Sequence, residues 1–295
     1  MSFVNYKNGN YMVYINPETG DKIRNSRGNK FMPSFAENCD VTITERCDGQ
    51  CAFCYAGCTL DGKHGDLNAK FHDTQQPYTE LAINGNDMSH PDLIPFLEKM
   101  KARMVFVNVT INQKHFEQHF ELIKDLQQKG LIKGVGVSLN KTTSQFIQLV
   151  KSVRNVVIHV INGIVTRDDW YNLQNNDLDV LILGYKTTGR GDDYLCKNQG
   201  RVERNQEWLR ESLPLSFNKF RTVEFDNLAL EQLDVQSMVS EDLWNAHYMG
   251  DDGDFTFFIN LVGGYFAENS TSSIHYPLMD DVVDMFNVIR NAKKG

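Results

Sequence analysis

Four of the six cysteines in this 295-residue chain fall within twelve residues: Cys47, Cys51, Cys54 and Cys58. Three thiolates spaced x3 and x2 on one flexible loop, Cys47, Cys51 and Cys54, can reach three corners of an iron-sulfur cube. With only three protein ligands a [4Fe-4S] cluster keeps one iron open to an outside ligand. The same four cysteines, x3, x2 and x3 apart, also match the donor count of a zinc site. Structural zinc, however, commonly draws its ligands from two separated knuckles. Cys39 and Cys196 have no companions, and isolated cysteines usually pack as small apolar side chains.

Further polar groups stand at the ends of β-branched runs: Asn84-Gly85-Asn86-Asp87, Thr110 and Asn112, Ser138 and Asn140, and Asn162-Gly163. Tyr185-Lys186-Thr187-Thr188-Gly189-Arg190-Gly191 is a basic, glycine-bearing loop suited to a carboxylate or phosphate through Lys186 or Arg190. It lacks P-loop spacing, so binding of a nucleoside triphosphate does not follow. Glu224 and Asp226 share a strand face and could act as a base or grip a cationic group. His115 and His119 stand at i and i+4 on a helix, without a glutamate at the offset a zinc protease needs. They read as surface histidines, and His247 has no metal-ligand partner.

The elements that must position these residues follow a βα rhythm. Strands are expected at Val41–Thr44, Glu80–Asn84, Met104–Asn112, Gly134–Asn140, Asn155–Ile161, Val180–Lys186 and Thr222–Leu228. Helical periods fall at Pro91–Met100, Gln113–Lys129, Thr143–Val153, Arg167–Asn175 and Val202–Ser212. Within the second, Phe116, Phe120, Ile123 and Leu126 share a face that stops at Gly130. Alternation of this kind predicts an α/β fold, a partial (β/α)6 TIM-like barrel with function on the C-terminal strand ends.

Two hairpins flank that core. Tyr11–Ile15 and Lys22–Arg24, joined by an Asn16–Asp21 turn, read as a lid or edge ribbon; Phe255–Val262 and Tyr265–Ala267 join through Gly263-Gly264. A terminal helix is expected over Asp280–Ala292. The organisation is thus an N-terminal extension (1–40), a core (41–228) and a C-terminal extension (229–295), packed as one elaborated domain. A formal net charge of −8 disfavours nonspecific nucleic-acid binding. No apolar run is long enough for a membrane span and no export signal opens the sequence, so a cytoplasmic location is expected.

Cys47-x3-Cys51-x-Phe53-Cys54, placed after the first core strand, resembles the CxxxCxΦC signature of the radical S-adenosylmethionine (SAM) enzymes. A second match strengthens the resemblance. Where that family has Gly-Gly-Glu-Pro, often followed by His-Pro-Asp-Leu, this chain reads Asn84-Gly85-Asn86-Asp87-Met88-Ser89-His90-Pro91-Asp92-Leu93.

The resemblance implies a [4Fe-4S] cluster on Cys47, Cys51 and Cys54, with SAM chelating the open iron. Reductive cleavage of SAM would give a 5′-deoxyadenosyl radical that abstracts hydrogen from a peptide, nucleotide derivative or small metabolite. A flavodoxin- or ferredoxin-type protein would supply the electron. Phe53 matches the aromatic position near adenine. Asn84, Gly85 and Asn86 match the turn that holds the SAM amino group, departing from Gly-Gly-Glu at both outer positions, and Asn84 is expected to take left-handed torsion angles there. Ser138 and Asn140 match the place for ribose hydroxyls or the methionine carboxylate, with Lys186 or Arg190 as anion contacts. Cys58, six residues before His64, would pair with it to deliver hydrogen or a proton to a substrate radical. The alternative is a non-catalytic, zinc-stabilised barrel that serves as a binding or adaptor protein.

Overall fold

The computed structural model describes residues 3–28 and 30–293. The chain opens with a three-stranded antiparallel sheet, β1 (Val4–Asn8), β2 (Tyr11–Ile15) and β3 (Lys22–Asn25), with β2 central. Period-two alternation in β2 turns Tyr11, Val13 and Ile15 inward. The expected hairpin is present, with one more strand before it.

A mixed α/β region follows. Its elements are β4 (Asn38–Thr42), β5 (Glu80–Asn86), α1 (Leu93–Ala102), β6 (Phe106–Asn112), α2 (Gln113–Gln118), α3 (Phe120–Gln128), β7 (Gly134–Ser138) and α4 (Ser144–Lys151). The series continues through β8 (Val156–Ile161), α5 (Arg167–Leu173), β9 (Asp179–Leu183), α6 (Arg190–Ser212), β10 (Thr222–Phe225) and α7 (Asn227–Leu233). Last come α8 (Glu241–His247), β11 (Thr256–Asn260), β12 (Tyr265–Ala267), β13 (Tyr276–Pro277) and α9 (Val282–Ala292).

Ten of these strands form one sheet in the order β10-β9-β8-β7-β6-β5-β4-β11-β12-β13, parallel from β10 to β11 and antiparallel beyond. The sheet is open, since its outer strands β10 and β13 do not pair. It is also larger than a six-unit partial barrel requires. The C-terminal hairpin is the reason: β11 lies parallel to β4, Thr256–Asn260 against Asn38–Thr42, and so belongs to the main sheet. No helix among the described residues is long and apolar enough to cross a membrane.

One face of the parallel strands, carrying Leu81, Ile83, Val109, Val137, Ile158 and Ile182, packs beneath helix residues such as Leu97, Ile123, Phe146 and Trp170. The other face alternates with it and lines a single cavity of about 660 Å³, around which the sheet curls. The N-terminal hairpin meets the cavity at the end opposite the cysteine loop. Its turn residues Pro17, Thr19, Gly20 and Asp21 close the cavity where the strands begin. They are held there by Lys22 Nζ at 2.7 Å from Glu80, by Arg24 Nε at 2.9 Å from buried Glu37, and by Asn155 Nδ2 donating to the Glu18 carbonyl at 2.6 Å.

Several boundaries differ from the sequence pattern, each for a local reason. The 113–129 helix breaks at His119 (φ −104°, ψ 21°), which closes α2 by donating its backbone N–H to the His115 carbonyl. Phe116, Ile123 and Leu126 still share the buried face. The 222–228 strand ends at Phe225 because Asp226 caps α7, its side chain accepting from the Ala229 N–H at 2.8 Å. Helix α6 starts directly after Gly189 and is broken by a kink at Asn198 (φ −131°, ψ 20°), so that its second segment begins close to the expected Val202.

His72 marks a cost within the core. It is 0% exposed, its ring lies 4.1 Å from that of Phe71 and 4.9 Å from that of Phe96, and neither ring nitrogen has a partner. Burial pulls its pKa down to about 3, helped by nearby Lys99. The unfolded chain takes up this proton near pH 6.5 and the folded chain only near pH 3. In that window acidification therefore removes about 1.4 kcal/mol of stability per pH unit through this one group. Urea unfolding of His72→Leu at pH 4.5 and 7.5 should show a smaller acid loss than the unsubstituted protein; parallel losses would contradict this assignment.

Candidate active site

The cysteine loop leaves the C-terminal end of β4 and is cinched at its base. Thr44 bridges to His64 and Arg46 to Thr59, the Cys47 N–H donates to the Thr59 carbonyl at 2.8 Å, and the Glu45 N–H donates to the Lys63 carbonyl at 2.9 Å. Gly62 permits the close approach, because a Cβ there would lie 2.1 Å from the Glu45 carbonyl oxygen.

Strand-end asparagines fasten the loop to the sheet. Asn84 Oδ1 accepts the Ile43 N–H at 2.7 Å and its Nδ2 donates to the Thr44 carbonyl at 2.7 Å. Asn86 Nδ2 serves the carbonyls of Thr44 and Arg46 and reaches Cys58 Sγ at 3.4 Å. A bulge at Gly85 sets this geometry: register slips between Asn84 and Asn86, and a Cβ on Gly85 would lie 2.5 Å from Val109. The left-handed residue is Asn86 (φ +47°), not Asn84. Both amides thus anchor the loop, where the sequence suggested contacts to SAM.

A second clamp comes from the β9–α6 junction. Arg190 donates from Nε to the Cys51 carbonyl at 3.0 Å and from its guanidinium to the Cys58 carbonyl at 2.9 Å, while its backbone N–H reaches the Cys54 carbonyl at 3.0 Å. Thr188 Oγ1 donates to the Tyr55 carbonyl at 3.1 Å. The guanidinium expected to meet an anion thus braces the cysteine loop, since two carbonyls converge on it. Lys186 remains on the cavity wall, its Nζ 2.9 Å from Ser270 Oγ and 4.4 Å from the centre of the Tyr55 ring.

Cys47, Cys51 and Cys54 are each partly exposed, whereas Cys58 is buried. Gly49 leaves room between two of the sulfurs: a Cβ on it would sit 3.3 Å from Cys47 Sγ and 3.8 Å from Cys51 Sγ. Its N–H donates to Cys47 Sγ at 3.3 Å, and Asn112 Nδ2 approaches Cys51 Sγ at 3.7 Å. The Cys58 thiol donates toward Cys54, which lowers the Cys54 pKa and raises that of Cys58; desolvation raises Cys47 and Cys51. Among the described residues no group of three or more Cys, His, Asp or Glu side chains is gathered around one metal-sized point. Cys47 and Cys51 flank the Gly49 gap, and N–H donors to their sulfurs suit an iron-sulfur site.

The loop is steadied from the next strand as well. Asp48 accepts from His115 and, at 3.0 Å, from Lys114 Nζ. His115 is only 1% exposed, so it is not the surface histidine its spacing suggested; its ring sits beneath Gly49 at the start of α2. His119 caps the same helix. Asn112 and Asn140 exchange amide hydrogen bonds at 2.8 and 2.9 Å, and the Asn140 N–H donates to Gln113.

Phe53 and Tyr55 line the cavity mouth, and Ser138 faces inward in register with Asn112 and His159. Cys58 and His64 are not brought together. Cys58 faces Asn86 and Cys54, while His64 Nδ1 lies 2.9 Å from Thr44 Oγ1 and its ring 4.7 Å from that of His90. Neither lines the cavity.

Two cavity residues escaped the sequence reading. His159 lies on the inward face of β8 against Gly136, where a Cβ would fall 2.3 Å from the ring, and burial holds its pKa down at about 4 so that it is neutral. Asp40, midway along β4, is open to the cavity yet enclosed by protein, which raises its carboxyl to about 6 against the attraction of Lys186. Their strand parity was the available signal, since both share the face of residues already singled out.

No family model and no curated protein matches this sequence. The structure is similar in fold to Streptococcus suis SuiB. The SuiB form bound to S-adenosylmethionine superposes with a TM-score of 0.59 at 11% identity, covering 96% of this chain and 86% of that one. The form bound to precursor peptide SuiA gives 0.54 at 14% identity over 86% of this chain. The alignment spans 65% of that SuiB chain, under two thirds of its length. At these identities the likeness is one of fold.

Proposed function

We propose that this chain is a radical SAM enzyme whose cluster rests on Cys47, Cys51 and Cys54 and whose substrate enters the cavity bounded by Phe53 and Tyr55. One observation carries the reading. Three partly exposed cysteines stand on the loop that follows β4, tied down by Asn84, Asn86 and Arg190, and the same loop brings Phe53 and Tyr55 to the cavity that the parallel strands line. When bound, the cluster and SAM supply reductive cleavage of a carbon-sulfur bond and a carbon-centred oxidant for hydrogen abstraction.

The protein's part is positional. Asn84, Asn86 and Arg190 fix the loop, Asn112 and the Gly49 N–H donate to its sulfurs, and the hairpin turn lines the far end of the cavity. Phe53 offers an aromatic surface to adenine at the mouth. Ser138 presents a free hydroxyl to ribose or carboxylate, and Lys186 a cation. SuiB binds S-adenosylmethionine and a precursor peptide, and we carry both ligand classes to this chain, with a flavodoxin- or ferredoxin-type protein as electron donor.

Anaerobic purification with metal and sulfide analysis tests the cluster. About four iron and four sulfide per chain are expected. Stoichiometric zinc without iron would favour the adaptor reading instead.

A further inference from the structure

We propose that the substrate of this chain presents a cationic group, an ammonium or guanidinium on an alkyl stem, to Asp40, Glu224 and Asp226 on the cavity wall. The inference rests on the reading of the cavity as the substrate site.

The three carboxylates come from strands far apart in the sheet, Asp40 from β4, Glu224 from β10, and Asp226 from the residue after it, and all line the same cavity. Asp40 and Glu224 are exposed to its interior, so a ligand can reach them. None of the three forms a salt bridge among the described residues, whereas Glu80 on the same cavity wall pairs with Lys22. Asp226 also accepts the N–H groups of Gly184 and Ala229, each at 2.8 Å, which fixes its position.

The nearby cation does not neutralise them. Lys186 attracts Asp40 and Asp226 from beyond salt-bridge distance, held by Ser270 and the face of Tyr55. Burial raises the pKa of all three acids, as expected of carboxylates enclosed without a counter-charge. His159 is neutral and adds no positive charge. Lys133 lines the same cavity but forms no salt bridge with any of the three, so a neutral or anionic substrate would strip water from three unpaired carboxylates, whereas a cation replaces the lost hydration. The remaining wall suits an alkyl stem, with Leu181, Leu183, Phe106 and Phe258 lining the same cavity.

SAM is itself cationic, so the test must separate the two. Binding of n-hexylammonium, hexanol and hexanoate to the purified, cluster-loaded protein would be measured by ligand-observed NMR, with and without saturating SAM. The proposal expects hexylammonium to bind about tenfold or more tighter than either analogue, and to keep that preference with SAM present. In Asp40→Asn/Glu224→Gln the preference should disappear. Equal or tighter binding of hexanol or hexanoate overturns the proposal, and this comparison needs no variant. An unchanged preference in the double variant overturns it too. Displacement of hexylammonium by SAM would assign the carboxylates to SAM and overturn the substrate class. Failure of the radical SAM reading is registered separately, by absence of the cluster or of SAM cleavage.

Discussion

Cys54→Ala is expected to lose its iron, while Cys58→Ala keeps it. The two residues are four apart and shift each other's pKa, so their sequence positions alone do not separate a ligand from a neighbour. Their surroundings do. Cys54 is partly open, with its carbonyl held by the Arg190 N–H, whereas Cys58 is buried and its sulfur meets the Asn86 amide. Removing Cys54 leaves two thiolates, too few to retain a cubane. Removing Cys58 deletes one weak hydrogen bond and a small buried group, a loss of about 1 kcal/mol that the fold absorbs. Iron analysis and the visible spectrum of the anaerobically purified variants decide this, and equal loss of iron in both would show that the ligands are misassigned.

The second large effect is expected at Gly189, between the basic loop and α6. Its backbone (φ +53°, ψ −130°) lies where side chains are strained, and a Cβ there would fall 2.4 Å from the Tyr55 carbonyl and 2.9 Å from that of Cys54. Gly189→Ala must therefore push the cysteine loop away from Arg190, breaking the contacts to Cys51, Cys54 and Cys58 together. The cost should be about 3 kcal/mol or more, from backbone strain and steric overlap combined. A thermal melt should show a drop of several degrees, accompanied by poorer iron retention. Gly200→Ala in the middle of α6 is the control: its Cβ meets only the movable end of Arg204, and helix propensity favours the change. Matching melts for the two variants would contradict the clamp.

Local signals were legible where they recur within a few residues. The strands β5 to β8 alternate between apolar and polar positions, and helices α4 and α5 begin at Thr143 and Thr166, whose hydroxyls accept from the N–H groups of Phe146 and Asp169. The loop spacing of Cys47, Cys51 and Cys54 was equally visible. What escaped the sequence depends on partners distant in the chain. Nothing near Phe255 tells that β11 will lie beside β4, because that choice is made by pairing across more than two hundred residues. Arg190 reads as an anion contact until the carbonyls of Cys51 and Cys58 are seen around it. His115 looked superficial because no zinc-binding offset gave it a buried role; its burial comes with the cysteine loop folding over it. Asp40 and His159 gain meaning only when strands four apart in the sheet turn one face toward a common space.

The central claim is that the thiol loop and the cavity beneath it form one reductive SAM-cleaving site. The most direct measurement is to add SAM and dithionite to the anaerobic, iron-loaded protein and quantify 5′-deoxyadenosine and methionine. Equal formation of both, abolished in Cys54→Ala, is the expected result. Intact SAM in the presence of a fully assembled, reduced cluster would contradict the account.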